Sequence, residues 1–228
     1  FDVQYSSDPS VNPANSFFKA DLQFDIAGNL LSAFNRFMPV DSSGFRTIWN
    51  SPYSQFARAE LSLAYTWKFG RDNKQALAVR GLGGIGYAYG NSAKMPFERL
   101  FWAGGSNSLR GWTARSVGPG SSQMDETFSI PNQTGDMRLE ANIEYRFPLF
   151  SIFRGAVFAD WGNVWNLART GDHESMEGGS TEDQTAEELS YFSWKNMLRT
   201  SAFSAGAGLR LDLNFVVVRF DVGIKLYD

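Results

Sequence analysis

Residues 136–147 alternate so strictly that few backbones can hold them. Arg138, Glu140, Asn142, Glu144 and Arg146 fall on one side of an extended chain, opposite Met137, Leu139, Ala141, Ile143, Tyr145 and Phe147. A helix would scatter both sets around its circumference, whereas a strand sends successive side chains to opposite faces and keeps them apart. The same period of two recurs in residues 19–27, with Leu22, Phe24 and Ile26 opposite Lys19, Asp21 and Asp25. It recurs in 57–69, where Ala57, Ala59, Leu61, Leu63, Tyr65, Trp67 and Phe69 oppose Arg58, Glu60, Ser62, Thr66 and Lys68. In 76–89, Leu77, Val79, Ile85, Tyr87 and Tyr89 lie opposite Arg80, Gly84 and Gly86. Weaker alternation follows in 155–165, 201–213 and 216–226, and FDVQYS at 1–6 can be the tail of another strand. The count is therefore seven clear strands, or eight with the first.

Five long polar side chains in a row are more than one face of a soluble sheet usually needs, and suit a wall with water on one side and hydrocarbon on the other. Sliding 136–147 by one residue would turn its charges outward, at about 2–4 kcal/mol for an arginine near the bilayer midplane and less for a glutamate. Breaks at 70–75, at 148–153 and near Asn214 are short, while those at 30–55, 90–135 and 166–199 are long. Tight turns at one rim and extended loops at the other are the pattern of outer-membrane barrels. The competing reading is a soluble two-layer sandwich, whose strands also alternate. Composition fits a barrel: 15% of the 228 residues are aromatic, which suits girdles at two membrane interfaces. The sequence has no apolar run long enough for a transmembrane helix, but a barrel strand needs only about ten residues with every second one apolar.

The connection at 90–135 is too long for a hairpin, and long loops are generally functional or disordered. It contains FERLFWAGGSNSLRGW, residues 97–112. Gly104 and Gly105 permit tight turns, Gly111 can take positive φ, and Trp112 supplies a packing anchor. An arginine held among such residues, Arg110, suits a carboxylate-lined interior, because guanidinium binds carboxylates through paired, charge-assisted hydrogen bonds. Glu144 and Asp160 are the two acids placed to receive it. The plain alternative is that Arg110 sits on a mobile surface loop and touches nothing.

FWAGGSNSLRGW, with NIEYRFPL at 142–149 and VFADWGNVW at 157–165, resembles in order and spacing the barrel of the BamA/TamA family of outer-membrane assembly proteins, also called the bacterial surface-antigen family. The resemblance covers most of residues 56–228. It implies an all-β fold, an antiparallel transmembrane β-barrel of which this chain is the C-terminal portion of a larger, sixteen-stranded whole lacking its last strand. Members of that family carry periplasmic POTRA domains before the barrel, which do not appear in this sequence, and the resemblance implies a place in the outer membrane of a Gram-negative bacterium. Arg110 would be the arginine of the sixth external loop, held in the lumen by Glu144 and Asp160. Leu109 and Trp112 stand where valine and phenylalanine are commoner, which leaves the subfamily open.

Other chemistry finds little support. With no cysteine there is no disulfide or thiolate site, and a net charge of −3 argues against nucleic acid. GLGGIG at 81–86 matches a dinucleotide-binding pattern, but no helix or acidic residue follows where that fold needs them, and small lumen-facing residues explain it better. His173 is the sole histidine and sits in an acidic loop with Asp172, Glu174, Glu177, Glu182, Asp183, Glu187 and Glu188, read as a solvated loop rather than a metal site. Residues 186–198 have the pattern of a short amphipathic helix. The start at Phe1 suggests a processed form or a fragment. The expected function is insertion, folding or translocation of outer-membrane proteins, with no enzyme activity and no cofactor. Expected partners are outer-membrane lipids, unfolded client proteins and periplasmic or lipoprotein components. A weakly closed strand pair would offer incoming strands a hydrogen-bonding edge. The alternative is a passive channel or porin.

Overall fold

The computed structural model describes residues 1–10, 13–121, 133–167, 189–213 and 216–227. Each alternating stretch is a strand: β1 (Asp2–Ser6), β2 (Phe17–Ala27), β3 (Phe56–Phe69), β4 (Gln75–Ala88), β5 (Met137–Phe150), β6 (Phe153–Trp165), β7 (Ala202–Asp212) and β8 (Val217–Tyr227). They pair antiparallel with their chain neighbours in one eight-stranded sheet, with β1 and β8 at its edges. An eleven-residue strand such as β2, rising about 3.3 Å per residue and tilted by about 40°, covers roughly 28 Å along the membrane normal. That matches the hydrocarbon layer.

The register keeps the two faces separate across strand boundaries. One cross-strand row runs Arg80, Asn142, Asp160, Ser204 and Lys225; the next runs Glu144, Phe158, Gly206 and Gly223. The opposite face shows Leu61, Leu63, Tyr65, Trp67, Ile143 and Val157 to the surroundings, with no second layer over them among the described residues. A soluble sandwich would bury that face, so the sandwich reading fails. Packing occurs instead on the polar side, where Phe101, Leu109, Trp112 and Val117 of the 89–136 connection form a core with Val164 and Ala202 of the wall.

The connections refine the sequence reading. The break expected at 148–153 shrinks to two residues: β5 runs to Phe150 through a register shift after Pro148, and Ser151 turns the chain at φ 49°. Proline has no N–H to give to a ladder, so a bulge is a position where it costs least. Gly84 and Gly86 do face inward, where a Cβ would strike Phe101 and Met95, but Gly81 and Gly83 lie on the outer face by alternation. Only half of the glycine run is therefore lumen-facing. The helix expected at 186–198 is absent from Tyr191 onward: Tyr191 bridges Asn166, and the backbone then turns toward Thr200, whose hydroxyl accepts a hydrogen bond from Trp165 Nε1 at 2.9 Å. Tethering to the wall wins over helix propensity there. His173 and the acidic run lie outside the described residues.

Candidate functional site

The long connection reaches the concave face on a narrow stem. Phe101 bridges Gly135 and Ala103 bridges Val117, and beyond them residues 104–112 close on themselves. Gly105 N donates to Trp112 O at 2.8 Å, Ser108 N to Gly105 O at 3.1 Å, and Trp112 N to Leu109 O at 3.1 Å. Gly104 and Gly105 have φ of 102° and 93°, values that side-chain-bearing residues rarely adopt. Leu109 and Trp112 flank Arg110 and are buried in the loop core. The fold of the tip thus sends Leu109 and Trp112 into the packed core and aims Arg110 at the wall.

Arg110 meets the wall through several contacts at once. Its Nε donates to Asp160 Oδ2 at 2.9 Å and its Nη2 to Asp160 Oδ1 at 2.7 Å, a bidentate pair. Nη1 donates to Glu144 Oε2 at 2.5 Å, and the backbone N–H donates to Asp160 Oδ2 at 3.1 Å. The guanidinium carbon lies 3.5 Å from the centroid of the Phe158 ring, a cation–π stack. Asp221 of β8 is 3.8 Å away. The Asp160 side chain is wholly buried and that of Arg110 is 8% exposed, so water screens this pair little. Burial alone would lower the pKa of Arg110; the hydrogen bonds and charges of Asp160 and Glu144 outweigh it and raise the pKa above that of an ordinary arginine.

Neighbours hold the acids in place. Asn142 donates to Asp160 Oδ1 and to Ser108 O, both at 2.8 Å, which links wall, acid and loop. Glu144 also receives Arg146 at 2.6 Å and Arg210 at 2.5 Å. Deeper in the loop, Ser108 Oγ donates to buried Glu140, which is paired with Arg138 and Arg80. From β8, Arg219 donates to Ser106 O at 2.8 Å.

The sequence-identified residues Arg110, Gly111, Trp112, Gly104, Gly105, Glu144 and Asp160 are all brought to this one place. The role expected of Gly111 needs correction, because its φ is not positive. Its lack of a side chain serves close approach instead. A Cβ there would sit 2.8 Å from Ser204 Cβ and 3.2 Å from Ile224 C, and one on Gly223 would sit 2.7 Å from Arg110 O. Loop and β8 touch backbone to backbone. Sequence reasoning missed Phe158, Asn142, Asp221 and the Ser108–Glu140 contact. Phe158 left a signal: it is a bulky apolar residue at an inward position, and it breaks the alternation of VFADWGNVW. Asn142 sat on the polar face all along, but which inward groups meet Arg110 depends on how deep the loop reaches.

An open antiparallel wall with an apolar outer face and a loop ion-paired to its polar inner face defines a class of transmembrane β-barrel. A family model described as the Omp85 superfamily domain matches residues 35–228, and the chain belongs to that superfamily, a BamA/TamA-type barrel portion in the outer membrane of a Gram-negative bacterium. The outer membrane protein assembly factor BamA of Neisseria meningitidis serogroup B is 29% identical over 119 residues, which cover 50% of this chain and 15% of that protein. The crystal structure of BamA from Haemophilus ducreyi lacking POTRA domains 1–3 matches with a TM-score of 0.56 at 16% identity, covering 95% of this chain and 49% of that one. At that identity the likeness speaks for the fold. The chain thus spans half or less of the relatives it matches.

Proposed function

We propose that this chain is barrel wall from a factor that folds and inserts other outer-membrane proteins, and that Arg110 is the clasp bracing its long loop against the inside of that wall. The observation that carries the reading is the bidentate Arg110–Asp160 pair with Glu144 and Phe158 around it, in a chain of the superfamily that includes an assembly factor among its relatives. A buried, multiply bonded clasp costs more to form than a surface pair and is retained where one loop position has to be fixed. Its clients would be unfolded outer-membrane proteins, its surroundings outer-membrane lipid, and its helpers periplasmic or lipoprotein components. It would act by templating strands rather than by bond chemistry, so neither a catalytic residue nor a cofactor enters the reading.

One observation favours a passive channel. Beside the loop tip lies a cavity of about 480 Å³ lined by Lys19, Arg80, Arg146 and Arg219, with Glu144 as its one acid, a surrounding that would favour anions. The two readings separate on one variant. For an assembly factor, Arg110→Ala in the full-length protein is expected to slow folding of an unfolded client into vesicles strongly, while the variant still reaches the membrane. For a channel, client folding is indifferent to Arg110, and only conductance and its anion preference shift. Unchanged client folding by Arg110→Ala would remove the assembly role of the clasp.

A further inference from the structure

Above the outward apolar face, the connection from β2 to β3 begins with a segment of oily side chains that nothing among the described residues covers. Leu30 is 78% exposed, Phe34 53% and Phe37 81%, and Leu31 is exposed with them. In water such a cluster would be a liability, because apolar surface of this kind marks a place of contact. Its position in the fold says what it contacts. Asn29 Oδ1 accepts hydrogen bonds from Tyr89 OH at 2.8 Å and from Gln55 Nε2 at 3.0 Å. By alternation Gln55 and Tyr89 continue the outward rows of β3 and β4, whereas the adjacent inward residues Phe56 and Ala88 pack with Met95 on the lumen side. The segment is therefore tied to the rim where the outward rows end, the last of them being Ile26, Ala57 and Tyr87, of which Ile26 and Tyr87 are exposed. Among these apolar groups stands Arg36, exposed and with no carboxylate partner among the described residues.

We propose that residues 29–37 form an interfacial anchor, lying in the headgroup layer of the surrounding bilayer at the rim that bears the long loops. Leu30, Leu31, Phe34 and Phe37 enter the boundary of the acyl chains, and Arg36 takes the phosphate of a lipid headgroup. Continuity with the apolar outer face selects lipid over a protein partner, and the single unpaired cation among apolar side chains matches an anionic headgroup. The anchor would set how high the wall rides in the membrane. It rests on the membrane placement alone and stands whether or not the protein assembles clients.

The chain has no cysteine, so in the full-length protein, with any cysteine outside this chain replaced by serine, a fluorophore on Phe37→Cys in vesicles reports this position, with Ser43→Cys in the neighbouring exposed turn as reference. The label at 37 is expected to be quenched by lipid carrying a nitroxide near the headgroup and spared by iodide in the water, with the reverse at 43. Arg36→Gln is expected to abolish the deeper seating of the 37 label in phosphatidylglycerol vesicles relative to phosphatidylcholine ones. A label at 37 quenched by iodide like that at 43, or shielded from both quenchers by protein, overturns the anchor. An Arg36→Gln variant that keeps the phosphatidylglycerol effect overturns the headgroup contact.

Discussion

Arg110 and Asp160 form the contact on which the inner face turns, because each is buried and each satisfies the other. Removing one partner of a buried pair leaves an uncompensated charge and costs about 3–5 kcal/mol. Arg110→Ala and Asp160→Asn are each expected to destabilise the protein in denaturant titrations, and their double variant to fall short of the sum by about 1–3 kcal/mol. A coupling indistinguishable from zero would show that the pair is incidental. Arg110→Lys is expected to recover little, since an ammonium cannot make two parallel bonds to one carboxylate or stack flat on Phe158 as a guanidinium does. Gly111→Ala tests the backbone contact. Its Cβ would have to displace Ser204 or the Ile224 backbone, at about 1–3 kcal/mol, and the loop tip should become more open to protease. At this scale the sequence already held Arg110, Glu144 and Asp160. The inward position of Phe158 was legible, but its stack on Arg110 was not, because aromatic stacking on a cation depends on a ring orientation that spacing does not reveal.

Among the elements, strands were the legible part and connections were not. A period of two is a local consequence of backbone geometry, so β2 to β8 fall within a few residues of where the alternation put them. The outer face of a strand accepts hydrocarbon and rejects charge, whereas the inner face accepts either. Leu63→Arg on the outer face of β3 is expected to cost about 2–4 kcal/mol near the midplane, and Ser62→Arg on the inner face of the same strand far less. Folding yield into vesicles compares the two directly; equal yields would mean that the assignment of faces is wrong. Segment 191–198 shows the opposite limit. Its helical pattern yields to the Tyr191–Asn166 bridge and the Trp165–Thr200 hydrogen bond, partners that lie far away in sequence.

In the whole molecule, the wall and the loop are stabilised by different media. Hydrocarbon holds the outer face, while the inner face is held by a loop core of Phe101, Leu109, Trp112 and Val117 and by buried ion pairs. Raising the ionic strength is therefore expected to leave the protease resistance of residues 104–112 nearly unchanged, since salt screens exposed pairs far more than buried ones. Release of the loop by salt alone would mean that its ion pairs are exposed to solvent. The sequence by itself determined the strands, the identity of their two faces and the residues able to clasp, because alternation, charge and glycine content act over a few neighbouring residues. Only the tertiary structure decided how deep the loop reaches, that Gly111 serves close approach to β8 rather than a turn, and that Phe158 lies beneath Arg110. Those outcomes depend on distances between segments far apart in the chain, which are fixed only once the wall has curved around the loop and packed against it.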